Sequence, residues 1–347
     1  MTRTVVVLAV ALAALLAGCV KTQTAADPAS APASGKSLAQ VLGAAVPPTS
    51  WSPKTGVDWW ESFVNGNPKR DVYSPNNQAA REAIASELRG FGYTVRVMDF
   101  PAGAMGVTVP TTTGPVSVHV VEAVKVGKTN PSHAIALGGH YDTQTATIYG
   151  AYDNGAGTAA VVASCDALSK VELDRTLVCL LFDGEEVGTV GSEAYLGYLN
   201  AEKPFTLDWY LGFDMTGMNW PGYAWKFYAW VGDEYGESLF PFVNATLHDV
   251  LQYPIEGVEA FPFNDRNSDE ATFKSAHVPT IRFAGGRTAS TYDQYHMPQD
   301  TVQHVYDVVG GRANFEKGFA TVVHSAYTLA WMLDATTLGE ITADSSK

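Results

Sequence analysis

Five short stretches of this chain concentrate side chains that bind cations or move protons: His140-Tyr141-Asp142, Asp153-Asn154, Asp183-Gly184-Glu185-Glu186, Asp214-Met215, and Tyr295-His296. Taken singly, each is weak. A lone histidine is usually a satisfied structural residue, and an aspartate before a helix is usually a cap. Their placement says more, because three of the stretches directly follow apolar runs at residues 134–137, 176–182 and 207–213. Carboxylates gathered at one edge of a sheet repel and raise one another's pKa, and a bound cation relieves that repulsion. Asp153, Glu186 and Asp214 carry three negative charges, and a bridging hydroxide makes four, the balance for two divalent ions. His140 and His296 add neutral nitrogen ligands, and such mixed ligation points to catalytic zinc rather than magnesium or calcium. Two ions about 3.5–4 Å apart can bind one water between them and polarise a carbonyl together.

The elements needed to position these residues are legible as hydrophobic periodicity. Residues 75–90 predict a helix with Ala79, Ala83, Ile84 and Leu88 on one face. Residues 93–100 and 116–126 alternate like half-buried strands, whereas 134–137 and 176–182 are continuous apolar runs, as in strands covered on both faces. Residues 155–169 predict a helix, 207–213, 226–231 and 280–283 further strands, and 312–333 a long closing helix. The class is α/β: a single-domain, mixed, largely parallel twisted sheet with helices on both faces. In such sheets function gathers beyond the carboxyl ends of the strands.

The composition agrees. The chain has 347 residues, 46% hydrophobic and 17% charged, which disfavours wholesale disorder and a polytopic membrane protein. A net charge of -14 without a basic tract argues against a nucleic-acid partner. The start reads as an export signal: residues 1–18 have a short basic head and an apolar stretch ending in Leu16-Ala17-Gly18-Cys19. That ending resembles the lipobox of bacterial lipoproteins, which implies lipidation of Cys19 and a cell-envelope location, anchored through lipid only. Residues 19–50 read as a flexible Ala/Ser/Pro/Thr-rich tether, 51–337 as the catalytic domain, and 338–347 as a disordered tail. Cys165 falls inside a predicted helix and Cys179 inside a buried strand, which favours two buried thiols.

The motifs GGHYDT (138–143), YDNGAG (152–157), DGEEVG (183–188), DMTGMN (214–219) and YHMPQDT (295–301) resemble, in order and spacing, the M28 family of zinc peptidases, on its bacterial aminopeptidase branch. The resemblance implies a zinc-exopeptidase, phosphorylase/hydrolase-like fold and two zinc ions. His140 and Asp214 would hold one ion, Glu186 and His296 the other, and Asp153 would bridge them. Glu185 would be the general base, its side chain diverging from that of Glu186 on an extended backbone. Asp142 would orient His140, and Tyr295 would hydrogen-bond the developing oxyanion. Asp300 is read as structural, opening a helix through Asp300-Thr301-Val302-Gln303. His248, His304 and His324 are read as non-ligands. One departure is Ser268-Asp269-Glu270, where the family often has Ser-Asp-His.

The implied function is hydrolysis of the N-terminal bond of peptides with a free amine, by a metal-bridged hydroxide and a glutamate base. The alternatives are a glutaminyl cyclase-like mono-zinc acyltransferase and a catalytically inactive binding lipoprotein. A carboxypeptidase would need a cation for the substrate carboxylate, and the nearby arginines, Arg266, Arg282 and Arg287, lie outside the metal motifs. No G-x-S-x-G or H-E-x-x-H occurs, which disfavours a serine hydrolase and a thermolysin-like site. The aromatic segments 220–230 and 261–263 read as packing or as an apolar wall for the substrate.

Overall fold

Every predicted strand pairs into one layer. In chain order the strands are β1 (Thr94–Phe100), β2 (Val118–Lys125), β3 (Asn130–His140), β4 (Arg175–Phe182), β5 (Thr206–Phe213), β6 (Tyr228–Gly232), β7 (Gly257–Phe261) and β8 (Thr280–Ala284). The helices are α1 (Leu38–Leu42), α2 (Pro53–Gly66), α3 (Asn76–Gly90), α4 (Gly157–Ser169), α5 (Val190–Glu202), α6 (Asp233–Ala245), α7 (Glu270–Ser275), α8 (Val302–Val309), α9 (Arg312–Asp334) and α10 (Leu338–Ser345). The computed structural model describes residues 38–101, 103, 116–217, 228–247, 257–261, 268–284 and 292–345. The proposed signal, Cys19, His248, Arg266, Arg287 and most of the two aromatic segments lie outside the described residues.

Among the described residues, eight strands form one sheet in the order β1-β2-β4-β3-β5-β8-β6-β7. Its centre, β4-β3-β5-β8, is parallel, while β1, β2 and β4 run antiparallel to their neighbours on one side and β6 runs antiparallel to β8 on the other. β4 is buried along its whole length, as its unbroken apolar run requires. One face of the sheet packs under α2, α3, α4 and α9, with Leu137, Cys179 and Leu211 among the core residues there. The other face packs under α5 and α7, with Leu180, Tyr195 and Phe273.

This two-sided covering corrects the half-buried reading of β2. Its residues alternate between two cores, Val121 and Ala123 on one face and Val118 and Val120 on the other. The α3 stripe is also turned by one position: Asn77, Ala80, Ile84, Ala85 and Leu88 face inward and Ala79 does not. Asn77 draws the helix round, because its Nδ2 donates to Asp183 Oδ1 at 2.8 Å and to Arg70 O at 2.8 Å.

Cys165 and Cys179 are joined by a disulfide, which corrects the expectation of two thiols. Helix α4 packs over β3 and the neighbouring β4, and both side chains lie in the same core with their Cα atoms 6.6 Å apart. Within the expected disordered tail, residues 338–345 form α10, with Leu338 and Ile341 buried. Within the expected tether, residues 38–42 form α1, and Val41 is buried. In both segments one or two apolar side chains find cover against the body of the domain.

Candidate active site

Parallel strands end on the same side of a sheet, so their carboxyl ends deliver residues distant in sequence to one place. His140 is the last residue of β3, Asp214 follows β5, and Glu185 and Glu186 follow β4 after the turn at Gly184, whose φ of 74° suits glycine. Asp153 comes from the turn before α4, and His296 from the loop before α8.

All five predicted ligands converge. Asp153 Oδ1 lies 3.6 Å from His140 Nε2, and its Oδ2 lies 3.3 Å from His296 Nε2. Asp214 Oδ1 is 3.6 Å from His140 Nε2, and Glu186 Oε2 is 3.1 Å from His296 Nε2. His140, Asp153 and Asp214 can therefore surround one point, and Asp153, Glu186 and His296 another, with the donor atoms of each set within 4.8 Å of one another. Asp153 belongs to both sets.

Glu185 and Glu186 do diverge, though not on extended backbone. Residues Glu185–Val187 form a single 3-10 turn, in which successive side chains are about 120° apart. Glu185 Oε2 faces His140 Nε2 at 3.9 Å while Glu186 faces His296. Asp142 sits behind both. Its oxygens accept the backbone N–H groups of Glu185 at 3.2 Å and Glu186 at 3.3 Å. Asp142 Oδ1 also lies 3.3 Å from His140 Nδ1, without the alignment of a hydrogen bond. Tyr295 stacks on the His296 ring with centroids 3.7 Å apart.

The supports under these residues were not foreseen. Asn154 is buried and clamps three elements: Nδ2 donates to His140 O and Phe213 O, and Oδ1 accepts from Gly157 N and Met215 N. Gly157 is required there, since a Cβ would fall 2.1 Å from Asn154 Oδ1. Arg70 is fully buried and donates to four backbone carbonyls, those of Asn67, Tyr141, Tyr149 and Gly150. Burial lowers its pKa to about 10, although Asp300 and Asp142 favour its charge. Asp300 is not the cap of α8; Thr301 is, its Oγ1 accepting from His304 N at 3.1 Å. Asp300 instead turns inward to the loop that carries Asp153. A lone arginine or a cap-like aspartate gives no signal of such a role in one sequence. His304 bonds Asp293 and His324 packs on Trp51, both away from the cluster as expected.

Arg282, outside every motif, reaches the site all the same. Its Nη1 donates to Glu270 Oε1 at 2.9 Å and its Nη2 to Asp214 Oδ2 at 3.1 Å. Asp269 is buried beside them, and burial pushes its pKa up to about 8 against the pull of His140.

The electrostatics are those of crowded carboxylates. Burial and the neighbouring Asp153 push Glu186 up to about 7. Burial pushes Glu185 well above the usual carboxylate range, with Asp214, Glu186 and Asp269 adding to it. Burial opposes the charging of His296, yet Asp153 and Glu186 raise its pKa to about 10. Burial and the same carboxylates raise the Tyr295 phenol. The donor set fits a cation on a separate ground: Asp214 Oδ1, Glu186 Oε1 and His296 Nε2 are buried and make no hydrogen bond. Unpaired polar atoms in a buried position are costly, and a cation at the His140 position would satisfy Asp214 Oδ1 while one at the His296 position would satisfy His296 Nε2 and draw on the Glu186 carboxylate.

The chain is similar to known proteins in this same region. It is 28% identical over 218 residues to leupeptin-inactivating enzyme 1 of Streptomyces exfoliatus, covering 58% of this chain and 46% of that protein. With aminopeptidase YwaD of Bacillus subtilis it shares 24% over 174 residues, 48% of this chain and 35% of that one. The chain thus spans less than half the length of these curated relatives. Its fold is that of BSAP, a zinc aminopeptidase from Bacillus subtilis, with a TM-score of 0.63 at 15% identity over 82% of this chain and 95% of that one. It is equally that of a glutaminyl cyclase from Fimbriiglobus ruber, with a TM-score of 0.62 at 18% identity over 83% and 96%. The model of peptidase family M28 matches residues 120–313, more than half of the chain and the whole span from β2 to the start of α9, and this protein belongs to that family.

Proposed function

We propose that this chain is a two-metal exopeptidase that hydrolyses the N-terminal peptide bond of peptides. One observation carries the reading: Asp153 offers one carboxylate oxygen to the side of His140 and the other to the side of His296. His140 and Asp214 would hold one ion and Glu186 and His296 the other, with Asp153 shared. When bound, zinc ions supply Lewis-acid polarisation of the scissile carbonyl and increase the acidity of water.

The chain's own groups do the rest. Glu185 takes a proton from the water that attacks the carbonyl carbon and gives it to the departing nitrogen as the C–N bond breaks. Burial raises its pKa above the usual carboxylate range, which makes it a stronger proton acceptor than an exposed glutamate. Asp142 sets the direction of the His140 ring and, through two backbone N–H groups, the position of the base. Tyr295, held protonated against His296, donates to the oxygen on which negative charge develops. The surplus of carboxylates, Asp214 and Glu185 among them, favours a free α-ammonium and offers nothing to an acylated nitrogen. Arg282 does not hold a substrate carboxylate, because Glu270 and Asp214 already engage it.

The test is a panel of aminoacyl-anilides, their N-acetylated forms and glutaminyl peptides, each with and without chelator. Chelator-sensitive release of the anilide from free amines, with turnover of the acetylated forms lower by orders of magnitude, is the expected result. Ammonia released from glutaminyl peptides without chain cleavage would establish the cyclase reading instead. Binding without turnover of any substrate would leave an inactive binding lipoprotein.

We infer further that the chain is exported and anchored through a lipid on Cys19, with residues 51–337 as its catalytic domain. The Cys165–Cys179 disulfide supports export, since such bonds persist in oxidising compartments. Radiolabelled fatty acid should enter the wild-type chain and not Cys19→Ala; equal labelling of both would refute the anchor.

A further inference from the structure

Arg282 and Glu270 form a buried ion pair that neither holds a cation nor moves a proton in the scheme above. Arg282 lies on β8 opposite Gly212 of β5, two residues before Asp214. Glu270, at the start of α7, packs over that same glycine, where a Cβ would fall 3.1 Å from its own Cβ. The planar guanidinium therefore spans two carboxylates, with Nη1 on Glu270 Oε1 and Nη2 on Asp214 Oδ2. The two oxygens of Asp214 become unequal. Oδ2 is occupied, whereas Oδ1 is buried, makes no hydrogen bond, and faces His140 Nε2 at 3.6 Å.

We propose that Arg282, held by Glu270, is a positioning residue that dictates which oxygen of Asp214 is offered to the cation beside His140. The inference rests on the two-ion reading. Glu270 is needed for two reasons. A guanidinium with a single partner could swing about the Asp214 bond, and two carboxylates at the two ends of its fork remove that freedom. An arginine alone would also set a positive charge beside a cation site, a repulsion that grows as the local dielectric falls. With Glu270 the pair is neutral and orients the ligand without repelling the ion. This accounts for the glutamate in Ser268-Asp269-Glu270, where the resembled motif has histidine: the acidic residue on α7 and the arginine on β8 act as one unit.

Loss of Arg282 alone leaves Glu270 and Asp214 as buried neighbours of like charge, which destabilises the fold for reasons unrelated to ligand geometry. Arg282→Met/Glu270→Gln removes both charges and avoids that. The measurement is calorimetric titration of zinc into the full, metal-free protein, for wild type, Asp214→Asn, Arg282→Met, Arg282→Lys and the double variant, with a thermal melt of each. The binding event that Asp214→Asn abolishes marks the His140–Asp214 position. In Arg282→Met and in the double variant that event should weaken by about 10–100-fold while the other is unchanged. Arg282→Lys should recover only part, since an ammonium lacks the fork. A double variant that melts like wild type and binds zinc at that position with wild-type affinity would overturn the inference and leave the two-ion reading standing. Equal weakening of both events would likewise overturn it. If the wild type shows no event sensitive to Asp214→Asn, the two-ion reading itself fails and this inference falls with it.

Discussion

Asp300 holds Asp153 from behind: its Oδ2 accepts the Asp153 backbone N–H at 3.0 Å, while Oδ1 accepts from Tyr152 N at 2.9 Å and from the Tyr292 hydroxyl at 2.7 Å. The residue that both halves of the site share is thus fixed through its main chain by a carboxylate 147 positions away. Asp300→Asn keeps the shape but turns a donating amide toward two donors. Metal content and kcat/KM should drop by about 10–100-fold with the fold retained. Metal analysis of the purified variant beside its melting curve checks this; wild-type metal content would show that the loop is held by other means.

The two adjacent glutamates should separate cleanly. Glu185→Gln removes the proposed base and leaves the donors near both histidines, so metal stays while kcat falls by roughly 10²–10⁴. Glu186→Gln weakens the carboxylate facing His296, so metal is lost together with activity. Steady-state kinetics and metal analysis on the same preparations decide it. Metal loss in Glu185→Gln and retention in Glu186→Gln would mean that the roles are exchanged.

The disulfide closes a loop between residues 14 apart in sequence, from α4 back to β4. Replacing both cysteines by alanine should destabilise the folded state by about 3 kcal/mol through the freer unfolded chain. Denaturant titration measures the difference, and a mass two hydrogens lighter without reductant confirms the bond in the wild type. Two free thiols by mass would contradict it.

Acid stability should depend on His324. Its ring meets Trp51 edge-on with centroids 5.5 Å apart, and burial lowers its pKa below 6.5. The folded state then binds this proton less tightly than the unfolded chain. The histidine's contribution is therefore present above 6.5 and is lost as pH falls from 6.5 through the lowered folded value. His324→Phe removes that titration. Melting temperatures followed from about pH 7.5 to about pH 5 should fall less steeply for the variant. Parallel curves would show that the ring titrates alike in both states.

What one sequence could decide here was whatever is local or periodic. The unbroken apolar runs at 134–137 in β3 and 176–182 in β4 were readable as strands covered on both faces, because a strand inside a sheet packed under helices on each side touches no water. The five candidate positions were readable because each lies at the end of such a run or in a turn beside a helix, where the fold brings residues together at one edge of the sheet. Where a side chain serves a distant element, no local pattern exists. Asp300 has the spacing of a cap, and only the packing of its loop against residues 152–153 makes it a support. Arg70 is an isolated arginine until the fold closes four carbonyls around it. The facing of Cys165 and Cys179 depends on how α4 crosses the sheet, which the 3.6-residue period of the helix does not specify. Arg282 and Glu270 meet at Asp214 only because β8 lies beside β5 with α7 packed over both. Strand order and helix placement are products of the whole core, so the candidate cluster was legible in the sequence and the groups packed against it only in the tertiary structure.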